Sequence, residues 1–283
     1  MKAQKLYDQL EKDFIADFRL RDIWDGMEPL HDLITDNFKE RAMGLLGDYT
    51  TDINKVYTAV FPTPKVMQEI LDQKEQNAML FLHHPLIWDL KQAPNVFQNM
   101  DRELLEQFHQ NHISLYCLHS PLDNYSEYST SASLAKALGL VIDRPAFSYE
   151  GGLAGVICTS NAITVTELRD DFARVLGHEA KLYDYGDDEI RDLRLAVVAG
   201  GGLDLDILAE IVDEDINTFV TGVTAQSDYA RPAHQYAETN EINILGGTHY
   251  STEKFACMAM CGYFESTDLP CEFIEEAADL ADL

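Results

Sequence analysis

Five side chains of the kinds that bind metals are spread along the sequence. They are two adjacent histidines, an aspartate, and a histidine followed four residues later by a glutamate: His83, His84, Asp123, His249 and Glu253. Imidazole nitrogens and carboxylate oxygens suit divalent transition metals such as Zn, Mn, Fe or Co. Five such ligands are more than one ion with an open coordination position normally uses. The set therefore indicates a two-metal centre, and with it hydrolytic chemistry.

The elements that must position these side chains alternate between strand and helix. Strands are predicted over residues 55–60, 77–82 and 113–118, and helices over 63–71 and 101–111. This alternation is typical of a parallel sheet covered by helices. His83 and His84 follow the second strand directly, and His119 and Asp123 follow the third. Since ligands gather beyond the carboxyl ends of such strands, we expect these groups to converge.

The rest of the chain continues the pattern, so the predicted fold class is α/β. Residues 1–45 are predicted to be helical from their apolar spacing. Further helices are predicted at 129–138, 164–176, 204–213 and 252–262, and further strands at 193–199, 218–222, 242–245 and 271–274. A glycine-rich stretch at 148–157 begins a new section. No flexible linker separates the parts, so a second domain is expected to be closely docked on the first.

Each motif also has an ordinary structural interpretation. The histidine pair is equally compatible with one core and one surface side chain, and Glu253 with a helix cap. Asp123 is a normal turn residue. His119 is a candidate general base or a support for a metal ligand, or else a core histidine bonded to the backbone. The joint occurrence of these motifs, rather than any single one, favours a site.

Glycines and cysteines suggest less chemistry. The Gly200–Gly202 run precedes a predicted helix, as a phosphate loop would, but it lacks the glycine spacing and the Lys-Ser/Thr of such loops, so a tight turn is favoured. The five cysteines are widely spread, and Cys257 and Cys261 are predicted to be small buried thiols on one helix face. These features predict a reducing, cytoplasmic setting.

Bulk composition narrows the partners. The 283 residues carry a formal charge of −28, which disfavours binding to nucleic acid because phosphate backbones are repelled. The amino terminus has no signal-peptide pattern, and no apolar run approaches the roughly 20 residues of a membrane helix. We therefore expect neither a nucleic-acid nor a membrane partner.

Several motifs in this order resemble those of the Nif-three-like family, whose bacterial members are commonly labelled GTP cyclohydrolase 1 type 2 homologues. The motifs are Ala59-Val-Phe-Pro-Thr-Pro64, Phe81-Leu-His-His-Pro-Leu86, His119-Ser-Pro-Leu-Asp123, Gly200-Gly-Gly202, Thr221-Gly222 and Gly247-Thr-His-Tyr-Ser-Thr-Glu253. The chain departs from the family's Asp-Asn-x-Gly-Leu pattern, since Arg41-Ala-Met-Gly-Leu-Leu46 stands there. It also has Val223 where the family often has an acid.

The resemblance implies a Nif-three-like fold of two α/β domains. Residues 1–143 with 238–283 would form a metal-binding domain around a middle domain of residues 144–237. It also implies a homohexameric ring with two divalent ions per subunit, whose ligands fall on the five side chains named above, with Glu253 as the bridge.

Two functional hypotheses follow. In the first, the protein is a dinuclear-metal hydrolase of a small, nucleotide-like substrate, and His119 orients or deprotonates the attacking water. In the second, it is a non-enzymatic metal-binding ring that acts in metal handling or as an interaction scaffold.

Overall fold

A computed structural model describes residues 1–16, 21–228 and 230–283. Helices alternate with strands in mixed sheets, which confirms the α/β class. The chain forms two compact units, the first of residues 1–122 with 257–276 and the second of residues 123–256 with 277–283. The domain boundaries expected near residues 143 and 237 stay a prediction.

The elements have the following bounds. The α-helices are α1 (Ala3–Leu10), α2 (Asp36–Arg41), α3 (Pro64–Asp72), α4 (Arg102–Gln110), α5 (Ser120–Asp123), α6 (Thr130–Ala137), α7 (Val165–Leu176), α8 (Leu205–Asp213), α9 (Arg231–Thr239) and α10 (His249–Ser266). The strands are β1 (Gly44–Gly47), β2 (Lys55–Ala59), β3 (Ala78–Leu82), β4 (Ile87–Trp88), β5 (Phe97–Gln98), β6 (Ile113–Cys117), β7 (Val141–Tyr149), β8 (Gly152–Thr159), β9 (Lys181–Tyr183), β10 (Arg194–Val198), β11 (Thr218–Thr221), β12 (Asn243–Gly246) and β13 (Cys271–Phe273).

The first unit is built on a five-stranded sheet in the order β1-β6-β3-β2-β13. The pairs β13–β2, β2–β3 and β3–β6 are parallel, and β1 is antiparallel to β6. The strand–helix alternation therefore predicted the central strands and their direction correctly. Parallel strands place their carboxyl ends at one edge, which is where the histidine motifs follow β3 and β6.

Both faces of this sheet are covered. Alternate strand residues, among them Leu80 and Leu82, lie in one apolar cluster with Val66 of α3 and Phe108 of α4. On the intervening positions, Phe81 packs edge-on against Phe264 of α10 with ring centroids 5.5 Å apart. The strands are thus buried on both sides, as their unbroken apolar sequence predicts.

The amino-terminal segment departs from the helix expected over residues 1–45. Helix α1 continues into a π-helical turn at Glu11–Ile15, a 3₁₀ turn covers Glu28–Leu30, and α2 is only six residues long. Pro29 and Gly26, which has φ +83°, break the helical pattern. The part of the prediction at residues 17–20, including Phe18, lies outside the described residues.

The second unit contains a six-stranded sheet in the order β7-β8-β10-β11-β12-β9. The strands β10, β11 and β12 are parallel, and the glycine-rich stretch forms the β7–β8 antiparallel hairpin beside them. The side chains Leu195 and Val197 pack with α6 and α7, whereas Ala196 and Val198 pack with α8 and α9. This alternation is the period-two pattern of a strand buried on both faces.

Within the described residues, no helix combines the length and the apolar character that crossing a bilayer requires.

The burial of β3 on both faces can be tested with two neighbouring substitutions. Met79 and Leu80 point to opposite faces and are both fully buried. We expect Met79→Ala and Leu80→Ala each to lower the free energy of unfolding by about 2–5 kcal/mol in urea denaturation, because each leaves a cavity. Leu205→Ala, at a side chain that is 44% exposed, is the control. A near-neutral result for either strand variant would contradict the two-sided core.

Candidate metal centre

The adjacent histidines lie where β3 ends. The backbone N–H of His83 donates to the carbonyl of Ala59 at 3.2 Å, and that of His84 donates to Val60 at 2.9 Å. Pairing with the neighbouring segment therefore extends past the strand and holds both residues in place. Their side chains are buried and their ring centroids are only 4.3 Å apart. Both rings thus occupy one location, rather than opposite faces of a strand.

His119, which follows β6, joins this pair. The side chains of His83, His84 and His119 each offer a ring nitrogen, and these atoms lie within 4.8 Å of one another. The exposed fractions are 0%, 1% and 7%, so the cluster is buried. Three imidazole nitrogens at this spacing fit a divalent transition metal.

The tautomer of His83 follows from its hydrogen bond. Its Nδ1 lies 2.9 Å from the carbonyl oxygen of Leu118. Because a carbonyl only accepts, Nδ1 carries the ring proton and the lone pair is on Nε2. A backbone acceptor of this kind both orients a metal-binding imidazole and raises its basicity.

His119 is held by a buried carboxylate that the sequence did not suggest. Asp22 Oδ1 lies 3.1 Å from His119 Nδ1 and accepts the Ser120 hydroxyl at 2.9 Å, while Asp22 Oδ2 accepts the Ser120 backbone N–H at 3.0 Å. Burial raises the pKa of Asp22, but the hydrogen bonds with His119 and with the N–H groups of Ile23 and Ser120 outweigh it and lower that pKa. Asp22 is therefore ionised, and His119 carries its proton on Nδ1 and its lone pair on Nε2.

Aromatic rings pack around His84. Phe61 stacks on its ring at 4.7 Å, and Trp24 meets the ring edge-on at 5.4 Å. Trp24 also contacts His119 at 4.6 Å and Phe97 at 4.9 Å. The segment that supplies Asp22 therefore also supplies the indole that fixes two of the three imidazoles.

His249 and Glu253 lie on the first two turns of α10 in the second unit. The helix begins at His249, three residues before the predicted start, so the two side chains share one face. His249 Nε2 is 3.2 Å from Glu253 Oε1, and both side chains are buried. The His249 backbone N–H donates to Asp282 at 2.9 Å, so a residue near the carboxyl terminus anchors the start of this helix.

The Gly200–Gly202 turn packs directly against Glu253. A Cβ on Gly200, which has φ +68°, would lie 2.1 Å from Glu253 Oε1. The Gly200 N–H donates to Thr252 Oγ1 at 2.9 Å, and its carbonyl accepts the N–H of Gly222 at 3.0 Å. The run is thus a tight turn, as predicted, and Asp204 caps the following helix α8. Both glycine motifs serve the close approach of backbone to this carboxylate.

Asp123, the last residue of α5, accepts a hydrogen bond from the Thr130 hydroxyl at 2.7 Å through Oδ1. Its other oxygen is Oδ2, and the residue is 8% exposed. A carboxylate oriented in this way is more than a surface turn residue.

The predicted site residues therefore form two sets of donors. The structure brings His83, His84 and His119 together in the first unit, and His249 with Glu253 in the second, which also contains Asp123. Sequence reasoning missed Asp22 and Asp282. Asp22 lies 97 positions from the histidine it holds, and Asp282 is 33 positions from His249, so neither has a local signal.

Known proteins resemble the chain over most of its length. A Pyrococcus horikoshii protein named GTP cyclohydrolase 1 type 2 homolog is 28% identical over 215 residues, which cover 74% of this chain and 79% of that protein. A Borreliella burgdorferi protein of the same name is 26% identical over 230 residues, 81% of this chain and 86% of that one.

Solved structures agree on the fold. Protein ybgI, described as of unknown function, has a TM-score of 0.74 at 20% identity and covers 98% of this chain and 99% of its own. A Thermus thermophilus protein has a TM-score of 0.70 at 22% identity, with 99% and 100% coverage. The family model described as Duf34/NIF3 (NGG1p interacting factor 3) matches residues 28–279. The predicted resemblance is confirmed: the chain belongs to the DUF34/NIF3 family.

Proposed function

We propose that the protein is a hydrolase that depends on two divalent metal ions. The observation that carries the proposal is the buried cluster of His83, His84 and His119, whose ring nitrogens lie within 4.8 Å of one another. Burying three imidazoles is useful when their lone pairs bind a cation, and the fixed tautomers of His83 and His119 present Nε2 for such use.

The ligand set in the proposal is His83, His84, Asp123, His249 and Glu253, with Glu253 as the bridge. Neutral imidazoles and carboxylates of this kind fit Zn, Mn, Fe or Co. Bound ions of this type acidify water and polarise the group under attack. Connectivity supports a single centre, because the chain passes from one unit to the other at Leu122–Asp123 and again at Ala256–Cys257, close in sequence to Asp123 and Glu253.

His119 handles the proton in this proposal. Its Nε2 accepts a proton from the attacking water, and the ionised Asp22 stabilises the imidazolium that forms while keeping the ring in one orientation. Ser120 holds Asp22 through both its hydroxyl and its backbone N–H. This arrangement favours hydrolysis over simple metal storage, since storage does not need an oriented base.

The substrate is proposed to be a small, nucleotide-like molecule attacked at a phosphoryl group or a ring carbon. The name GTP cyclohydrolase 1 type 2 homolog, which the similar proteins carry, is compatible with this class. A net charge of −28 repels anions, so bound cations would have to dominate the local field. The homohexameric ring and the cytoplasmic location stay predictions.

Metal content tests the ligand set. We expect the wild-type chain, reconstituted separately with Zn, Mn, Fe and Co, to retain about two ions per chain of its preferred metal by elemental analysis. His84→Ala and Glu253→Gln should retain fewer, because each removes a ligand, whereas the exposed His31→Ala should match the wild type. Retention of fewer than about one ion per wild-type chain with every metal would rule out the centre.

The glycine turn gives a second test of Glu253. We expect Gly200→Ala to weaken metal affinity roughly 10–100-fold, because the new methyl group displaces the carboxylate and the left-handed backbone is strained. Gly201→Ala is the matched control, since nothing lies within 4 Å of a Cβ there. Competition with a chromogenic chelator measures both. Equal affinity in the two variants would show that Glu253 binds no metal.

Turnover separates the base from the ligands. With the metal-loaded protein and a panel of GTP and bis-p-nitrophenyl phosphate, we expect His119→Ala to lower kcat by roughly 10²–10⁴-fold with normal metal content. Asp22→Asn should lower kcat in the same direction, because the neutral amide no longer stabilises the imidazolium. Loss of metal in His119→Ala would instead make His119 a ligand. Full metal loading without wild-type turnover on the panel would favour the metal-handling function.

A further inference from the structure

Two thiols outside the metal-binding set lie in contact within the first unit. Cys261 is on α10 and Cys271 is the first residue of β13, and their Sγ atoms are 2.9 Å apart. Both side chains are partly accessible to solvent, whereas Cys117, Cys158 and Cys257 are buried. The sequence predicted Cys261 to be a buried thiol like Cys257, and this was wrong because the strand that covers it is at the edge of the sheet.

The elements that carry the two thiols are fixed by their neighbours. Thr58 of β2 donates to the Cys257 carbonyl at 2.9 Å and lies 3.3 Å from Cys261 Sγ. Cys271 is paired in register with Val56 of the same strand. The contact between the thiols therefore belongs to the packing of α10 and β13 on β2, and not to a loop.

We propose that Cys261 and Cys271 are a modification site at which peroxides form an intramolecular disulfide. A disulfide has sulfur atoms about 2.05 Å apart, so the pair must close by about 0.9 Å, which side-chain rotation can supply. The site goes beyond the proposed hydrolase function, because neither thiol is among the metal ligands.

The two thiols differ in reactivity. The S–H of Cys271 donates to Cys261 and lowers the pKa of the Cys261 thiol, against the opposing effects of burial and of the acidic side chains Glu265 and Glu272. The same hydrogen bond, together with burial, raises the pKa of Cys271. Cys261 is therefore the thiolate that attacks first.

The reaction balances with one peroxide. The Cys261 thiolate attacks hydrogen peroxide, the O–O bond breaks, and the sulfur becomes a sulfenic acid while the hydroxide that leaves takes up a proton. The Cys271 sulfur then attacks the sulfenic sulfur, the S–S bond forms, and water leaves with the Cys271 proton. The two thiols lose two electrons, peroxide gains them, and two waters are produced.

The remaining cysteines are poor competitors. Burial raises the pKa of Cys158 to about 12 and raises that of Cys117 well above its usual range. Neither therefore offers a thiolate to peroxide near neutral pH. Oxidation should be confined to the Cys261–Cys271 pair and should be reversed by a dithiol reductant.

The full-length protein with hydrogen peroxide tests this directly. We expect the count of thiols that react with Ellman's reagent in denaturant to fall from five to three. The oxidised protein should also melt about 5 °C higher, because the cross-link constrains the unfolded chain. Trypsin cleaves after Lys254 and leaves both cysteines in one peptide, so a further cleavage after Glu265 is needed. The two pieces should then stay joined until reduced.

Variants and controls make the outcome decisive. Cys158→Ser should cross-link as the wild type does, whereas Cys271→Ser should form no cross-link and should leave a sulfenic acid on Cys261 that dimedone traps. Five remaining thiols, or loss of thiols without joined 261–271 peptides, would overturn the proposal. Peptide mapping of the wild type decides the matter even if a serine variant fails to fold.

Discussion

A buried imidazole is stable only when its ring proton is accepted, and this requirement organises the first unit. His83 donates from Nδ1 to the Leu118 carbonyl, and His119 donates to Asp22. Each bond fixes a ring orientation and a tautomer at once, so the lone pairs of both rings are on Nε2. The acceptors come from the end of β6 and from the segment before α2, and the parallel order of β3 and β6 is what brings them within reach. The sheet therefore decides where the proton of each ring goes.

In the second unit the corresponding constraint is steric. The Glu253 carboxylate lies so near the Gly200 backbone that a single methyl group would collide with it. Hydrogen bonds from Gly200 to Thr252, and from Gly222 back to Gly200, hold this approach. A glycine turn that looks like a phosphate loop in sequence thus holds a protein carboxylate, and the Asp204 cap on α8 takes the position that an anion would need.

Helix α10 illustrates how one element serves two kinds of chemistry. Its first turns carry His249 and Glu253, and the carboxylate of Asp282 accepts the first N–H of the helix, where the helix dipole favours a negative charge. Two turns after Glu253, the same helix presents Cys261 to the edge strand β13. Hard nitrogen and oxygen donors are thereby kept apart from the soft thiol pair, which reduces competition between metal binding and oxidation.

The sequence by itself determined the parallel direction of the central strands in the first unit, the helix start at Thr63–Pro64 and the residues able to bind metal. Local patterns suffice there, because a Thr cap, a following Pro and an unbroken apolar strand each act over a few residues. Only the tertiary structure decided that Asp22 holds His119, that Asp282 anchors α10, that Gly200 makes room for Glu253 and that Cys261 meets Cys271. These contacts join residues 10 to 97 positions apart, and no local propensity encodes them. Their physical cause is the packing of separate elements, which places side chains by geometry in space rather than by spacing along the chain.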